Sequence, residues 1–136
     1  MNPSVLFVCV KNAGKSQMAA ALLRQRAGGT VDVHSAGTRP GDAVNALSAE
    51  ALGEVGVDIT AETPTPVDPS LLARMDRVVI VGAEAHLDVP EGLPCERWIT
   101  DEPSDRGIDG IERMRLVRDD IAARVAVLAE ELTRRR

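Results

Sequence analysis

The segment Val5 to Ser16 reads VLFVCVKNAGKS, an unbroken apolar run that delivers a cysteine straight onto a short loop containing glycine and lysine. A run of four or five apolar residues makes a strand buried on both faces. The alanine-rich stretch after it, Gln17 to Arg26, keeps a helical period. The loop therefore sits at a strand-to-helix junction, where unpaired N–H groups of the loop and of the first helical turn point at one spot and favour an anion. Cys9 at that spot is expected as a thiolate, because the helix terminus and the nearby Lys11 and Lys15 favour the charged sulfur. Such a loop holds a nucleophile and an oxyanion cradle together.

Two templates come within one residue of this loop. The nucleotide-triphosphate loop G-x-x-x-x-G-K-[ST] is matched from Cys9 to Ser16 at every fixed position except the first glycine. That glycine permits the backbone turn around the phosphates, and a cysteine has no such role. The cysteine-phosphatase loop C-x-x-x-x-x-R-S is matched except that Lys15 stands where arginine is expected. A third reading is a buried structural cysteine at a strand end.

The identity of residue 15 carries physical weight. The chain uses arginine fourteen times and lysine only twice, and both lysines lie in this loop. A guanidinium grips two equatorial oxygens of a transferring phosphoryl group in a planar fork, whereas an ammonium is a point charge. Phosphoryl transfer is expected to suffer from the exchange.

At 136 residues, with 44% apolar and 27% charged content, the chain can bury a core without staples and reads as one domain, residues 1–136. A net charge of −5 argues against a nucleic-acid surface, and the closing Arg134-Arg135-Arg136 reads as a solvated tail. No apolar run approaches the roughly 18 residues of a membrane span, and the N-terminus lacks the layout of a secretion signal. The expectation is a cytoplasmic protein that touches neither membrane nor nucleic acid. Two cysteines, Cys9 and Cys95, make neither a disulfide framework nor a metal cluster. No metal and no tightly bound cofactor are expected.

Further along, strand and helix patterns alternate. Thr30 to His34 alternates as a strand and ends at Ser35-Ala36-Gly37-Thr38. Asn45 to Val55 has helical spacing and stops at Gly56, and the Thr/Pro-rich stretch Thr60 to Pro69 is irregular. A short helix is expected through Met75, then a continuous apolar strand from Asp76 to Gly82. Cys95 to Thr100 is a weaker strand, followed by the polar loop Asp101 to Asp109. Ile111 to Leu132 is a long amphipathic helix with Met114, Val117, Ile121, Val125 and Leu128 on one face. This alternation predicts an α/β fold with an open parallel sheet of about four strands and helices on both faces.

The Cys9 loop, Ser35-Ala36-Gly37-Thr38 and Asp101-Glu102-Pro103 together resemble the low-molecular-weight protein tyrosine phosphatases and their arsenate reductases, over essentially the whole chain. Within that group, VCVKNAGKSQMAAAL, Trp98 with Glu102-Pro103, and Gly110-Ile111-Glu112-Arg113-Met114-Arg115 look like the mycothiol-dependent arsenate reductases of actinobacteria, also called arsenate-mycothiol transferases. The resemblance implies that arsenate is held in the Cys9 loop and joined to mycothiol as co-substrate, after which a mycoredoxin reduces the adduct to arsenite. Such enzymes serve arsenical resistance and detoxification.

On this resemblance Cys9 is the thiolate nucleophile or the sulfur contact at arsenic. The backbone of Val10, Lys11, Asn12, Ala13, Gly14, Lys15 and Ser16 holds the oxyanion, and Lys15 supplies charge. Asn12 and Ser16 orient the loop; Lys11 is either a participant or a rim charge. The acid for a leaving hydroxyl comes from the Asp-Glu-Pro loop, where ungapped matching selects Glu102 and residue type selects Asp101.

Three features of the residues favour the arsenate branch. Gly82 to Pro90 contains no cysteine for an internal relay, and Cys95, beside an apolar strand, is read as packed rather than catalytic. The chain has no tyrosine, and Phe7 and Trp98 are its only aromatic residues, so a wall for an aryl substrate is lacking. The charges of Ser104-Asp105-Arg106-Gly107 suit a small anionic or polyhydroxylated partner. A phosphatase is the nearest rival. A non-catalytic oxyanion-binding module and a nucleotide hydrolase are further alternatives, the last disfavoured because the strand after Arg77 ends in Gly82 rather than in an acidic metal ligand. His34 and His86 have no evident ligand partners.

Overall fold

The computed structural model describes residues 2–134; the last two arginines of the expected solvated tail lie outside the described residues. Four strands, β1 (Ser4–Cys9), β2 (Asp32–Gly37), β3 (Arg77–Val81) and β4 (Cys95–Trp98), form one parallel sheet in the order β2-β1-β3-β4. All six residues of β1 are buried, as a continuous apolar run requires of a central parallel strand.

The period of two divides this apolar content between the faces. Val5 and Phe7 of β1, with Val33, Val79, Val81 and Trp98, meet the helices α1 (Lys15–Ala27), α2 (Ala46–Gly53) and α4 (Gly110–Thr133). Leu6, Val8, Val78 and Ile80 meet Leu72 and Met75 on the other face, at and just beyond α3 (Pro69–Ala73). The expected open parallel α/β sheet with helices on both faces is what the chain forms, the first face being much the thicker.

Helix α1 lies between the sheet and α4, so Ser16 to Leu23 are buried without a break. Its alanines keep that double contact close. Helix α4 buries Val117, Ile121, Val125 and Leu128, the stripe its sequence spacing marks, while Met114 is half-buried against the same cluster. Among the described residues no helix is long and apolar enough to cross a membrane.

Several boundaries differ from the sequence pattern. Strand β2 does not stop at His34 but runs through Ser35 and Ala36 to Gly37, because each of its residues has a partner on β1 up to Cys9↔Gly37. Helix α1 begins at Lys15, so Lys15 and Ser16 belong to its first turn and not to the loop before it. Helix α2 is shorter than expected: Asn45 is its cap, the Asn45 side chain accepting the Ser48 N–H at 2.9 Å, and it ends at Gly53.

Strand order places the site. The chain leaves β1 through α1 to pair on one side, and leaves β3 to pair β4 on the other. The carboxyl ends of β1 and β3, at Cys9 and Val81, thus flank the topological switch point, where open α/β sheets receive ligands.

Candidate active site

The loop after β1 is shaped by what happens to its carbonyl groups. The carbonyls of Cys9, Val10, Lys11 and Ala13 accept N–H bonds from Thr38 (3.1 Å), Arg39 (2.8 Å), Gly41 (3.0 Å) and Asn45 (2.7 Å). In a trans peptide the N–H points opposite to the C=O of the same unit. The amides of Val10, Lys11, Asn12 and Gly14 are therefore turned away from the 38–45 segment, into the loop. The Asn12 N–H accordingly donates to Cys9 Sγ at 3.2 Å.

Gly37 makes this packing possible, since a Cβ there would lie 2.7 Å from the Val10 carbonyl oxygen and 3.0 Å from the Asn12 backbone nitrogen. Asn12 itself takes φ = 53°, a left-handed conformation that asparagine tolerates better than most residues. It is fully buried and fully used. Its Oδ1 accepts from the Thr65 N–H (3.0 Å) and Gln17 Nε2 (3.2 Å), and its Nδ2 donates to Ser16 Oγ (2.7 Å). Ser16 Oγ lies 2.9 Å from Cys9 Sγ. Ser16 Oγ thus bridges the Asn12 amide and the Cys9 sulfur. The Asn12 N–H and the Ser16 hydroxyl both meet the sulfur of a cysteine that is 9% exposed.

A cleft of about 600 Å³ opens over Cys9 and is lined by Val10, Lys11, Lys15, Glu84, Glu102 and Arg113, with Val81 and Ala85 at its base. None of these residues is aromatic. Lys11 is exposed at the rim. The Lys15 side chain runs beside Gly82, whose φ of +101° turns the chain sharply after β3.

The structure separates the two carboxylates of the Asp-Glu-Pro loop. Glu102 lines the cleft, with Oε1 3.7 Å from Lys15 Nζ. Asp101 lies outside the cleft wall, held by Arg106 at 2.8 and 3.1 Å, and its N–H donates to Asp120 Oδ2 at 2.7 Å. Each is paired with an arginine. Arg113 donates twice to Glu102 (2.8 and 3.0 Å) and Ser104 once, and these bonds hold the Glu102 carboxyl down at about 2. Arg106 likewise holds Asp101 below the usual carboxylate range. The sequence expectation of an acid in this loop meets two ion-paired carboxylates.

Cys95 is exposed, not packed, because only Trp98 of β4 is buried and the strand forms the sheet edge. Partial burial of the thiol still pushes it upward. It is level with Val78 and hence with Leu6, three residues below Cys9 and two strands away. That places the two Cα atoms about 14 Å apart, far beyond the roughly 7 Å limit for a disulfide.

Gln17, Thr65 and Arg113 reach the site without having been assigned a role from the sequence. Arg113 had a trace in the segment Gly110 to Arg115; Thr65 sits in a stretch whose only local message is irregularity.

A profile of the family described as Low molecular weight phosphotyrosine protein phosphatase matches residues 4–136. A putative arsenate reductase of Halobacterium salinarum is 35% identical over 131 residues, covering 92% of this chain and 89% of that protein. An arsenate reductase of Halalkalibacterium halodurans is 33% identical over 138 residues, covering 96% and 98%. Among solved structures, a thioredoxin-dependent arsenate reductase of Corynebacterium glutamicum is similar with a TM-score of 0.81 at 30% identity; the match covers 99% of this chain and 63% of that one. An arsenate reductase from Archaeoglobus fulgidus gives a TM-score of 0.76 at 31% identity, covering 92% and 98%. With the matching profile spanning nearly all of its length, the chain belongs to the low molecular weight phosphotyrosine protein phosphatase family.

Proposed function

We propose that this chain is an arsenate reductase that takes its reducing equivalents from an external thiol, of the kind that joins arsenate to mycothiol and leaves the adduct to a mycoredoxin. Arsenate enters the cleft with Cys9 as the sulfur contact at arsenic, where the inward amides of Val10, Lys11, Asn12 and Gly14 and the N-terminus of α1 bind its oxygens. Lys15 supplies the positive charge. Mycothiol then replaces one arsenate oxygen: an S–As bond forms, an As–O bond breaks, and the oxygen leaves as water with the thiol proton and the proton of the arsenate hydroxyl. No oxidation state changes in that step. A second thiol, on the mycoredoxin, attacks the mycothiol sulfur, and the S–As electron pair stays with arsenic, giving arsenite and a mixed disulfide.

The single observation that carries this reading is the separation of Cys9 from Cys95, the chain's only other cysteine. An internal disulfide relay has no second sulfur within reach, so the reductant comes from outside. The names of the relatives support arsenate as substrate. One feature of the cleft weighs against a phosphatase: its wall has no aromatic residue.

Arsenite formation from arsenate, measured with mycothiol plus mycoredoxin and separately with thioredoxin and its reductase, tests the proposal. The first pair should sustain many turnovers and the second almost none. Efficient turnover with thioredoxin alone would overturn the mycothiol assignment.

A further inference from the structure

The cleft contains a guanidinium that the loop itself lacks. Arg113, from the first turns of α4, lines the same cleft as Cys9 and Lys15. Its Nε and Nη2 hold the two oxygens of Glu102 at 2.8 and 3.0 Å, a planar two-point grip of the kind oxyanions receive. Lys15 Nζ approaches one of those same oxygens, Glu102 Oε1, at 3.7 Å. Two cations, one from the Cys9 loop and one from α4, thus converge on a single carboxylate oxygen at the cleft wall.

Glu102 is an anion supplied by the chain itself and is about one-third exposed, so it can be displaced into solvent without an uncovered charge being left in the core. Resting on the reading of the Cys9 loop as an oxyanion site, we infer that Arg113 is an oxyanion-binding residue that exchanges Glu102 for the bound arsenate or phosphate. It supplies the fork that Lys15, a point charge, does not. Glu102 is its resident competitor. A tetrahedral dianion, carrying more charge and more oxygens than a carboxylate, can engage Arg113 and Lys15 at once while it sits on the loop amides.

The test uses inorganic phosphate as probe and reads its dissociation constant from the protection of Cys9 against alkylation. Four proteins are compared at fixed pH and salt: wild type, Glu102→Gln, Arg113→Met and the double variant. Glu102→Gln should bind phosphate several-fold more tightly, having lost the competitor. Arg113→Met should bind about tenfold or more weakly. The double variant decides between direct and indirect action, because Arg113 can no longer act through Glu102 there. If Arg113 grips the anion, its loss still weakens binding in the Glu102→Gln background, and Arg113→Lys restores part of it. Equal affinities for Glu102→Gln and the double variant would overturn the proposal, as would unchanged or weaker binding in Glu102→Gln. Should Arg113→Met fail to fold, Arg113→Gln in the same background gives the same contrast. No protection of wild-type Cys9 at any phosphate concentration would overturn the oxyanion reading itself, a failure distinct from the others.

Discussion

Ser16 Oγ lies 2.9 Å from Cys9 Sγ, and Asn12 Nδ2 reaches the same oxygen at 2.7 Å. The serine oxygen links the buried asparagine amide to the sulfur. Ser16→Ala removes that oxygen and strands the buried Asn12 amide, at a cost of about 1–3 kcal/mol. The expected outcome is a folded protein with a lower Tm in a thermal melt. An unchanged Tm would show that the Asn12–Ser16 bond does not contribute to stability.

The close approach at Gly37 is testable with a single methyl group. In Gly37→Ala the new Cβ meets backbone of the Cys9 loop, the Val10 oxygen at 2.7 Å and the Asn12 nitrogen at 3.0 Å, and backbone does not yield cheaply. A loss of about 1–3 kcal/mol is expected, together with a collapse of arsenate turnover. Gly53→Ala is the control: nothing lies within 4 Å of its Cβ and it ends α2. That change should be neutral or slightly stabilising. Thermal melts of the two variants give the comparison.

Acid titration reads the Glu102–Arg113 pair. The folded carboxyl is depressed from 4.5 to about 2, so its contribution is complete above pH 4.5 and is lost as pH falls toward 2. Wild type should therefore lose Tm more steeply across that window than Glu102→Gln, the two profiles running parallel above it. Parallel profiles throughout would mean that Arg113 does not hold the carboxylate down.

How much of this was legible in the sequence follows from which contacts are local. The β1-loop-α1 unit was legible because an apolar run, a Gly/Lys loop and an alanine-rich helix declare themselves within about twenty residues. The inner stripe of α4 was legible for the same reason. The extension of β2 to Gly37 was not, since it follows from a ladder with β1 and from loop carbonyls that need the amides of residues 38–45. Arg113 and Glu102 lie eleven residues apart across a 3-10 turn, Pro103–Arg106, and the start of α4, so no spacing rule links them. Cys95 misled because an apolar neighbourhood in sequence became an exposed sheet edge, and edges are set by strand order.

The central claim is that oxyanion chemistry at Cys9 draws on a thiol from outside the chain. Arsenite formation by Cys95→Ser, supplied with mycothiol and mycoredoxin beside a Cys9→Ser control, tests it most directly. The account predicts turnover close to wild type for Cys95→Ser and none for Cys9→Ser. A folded Cys95→Ser protein that makes no arsenite would contradict it, because Cys95 would then be the missing internal thiol.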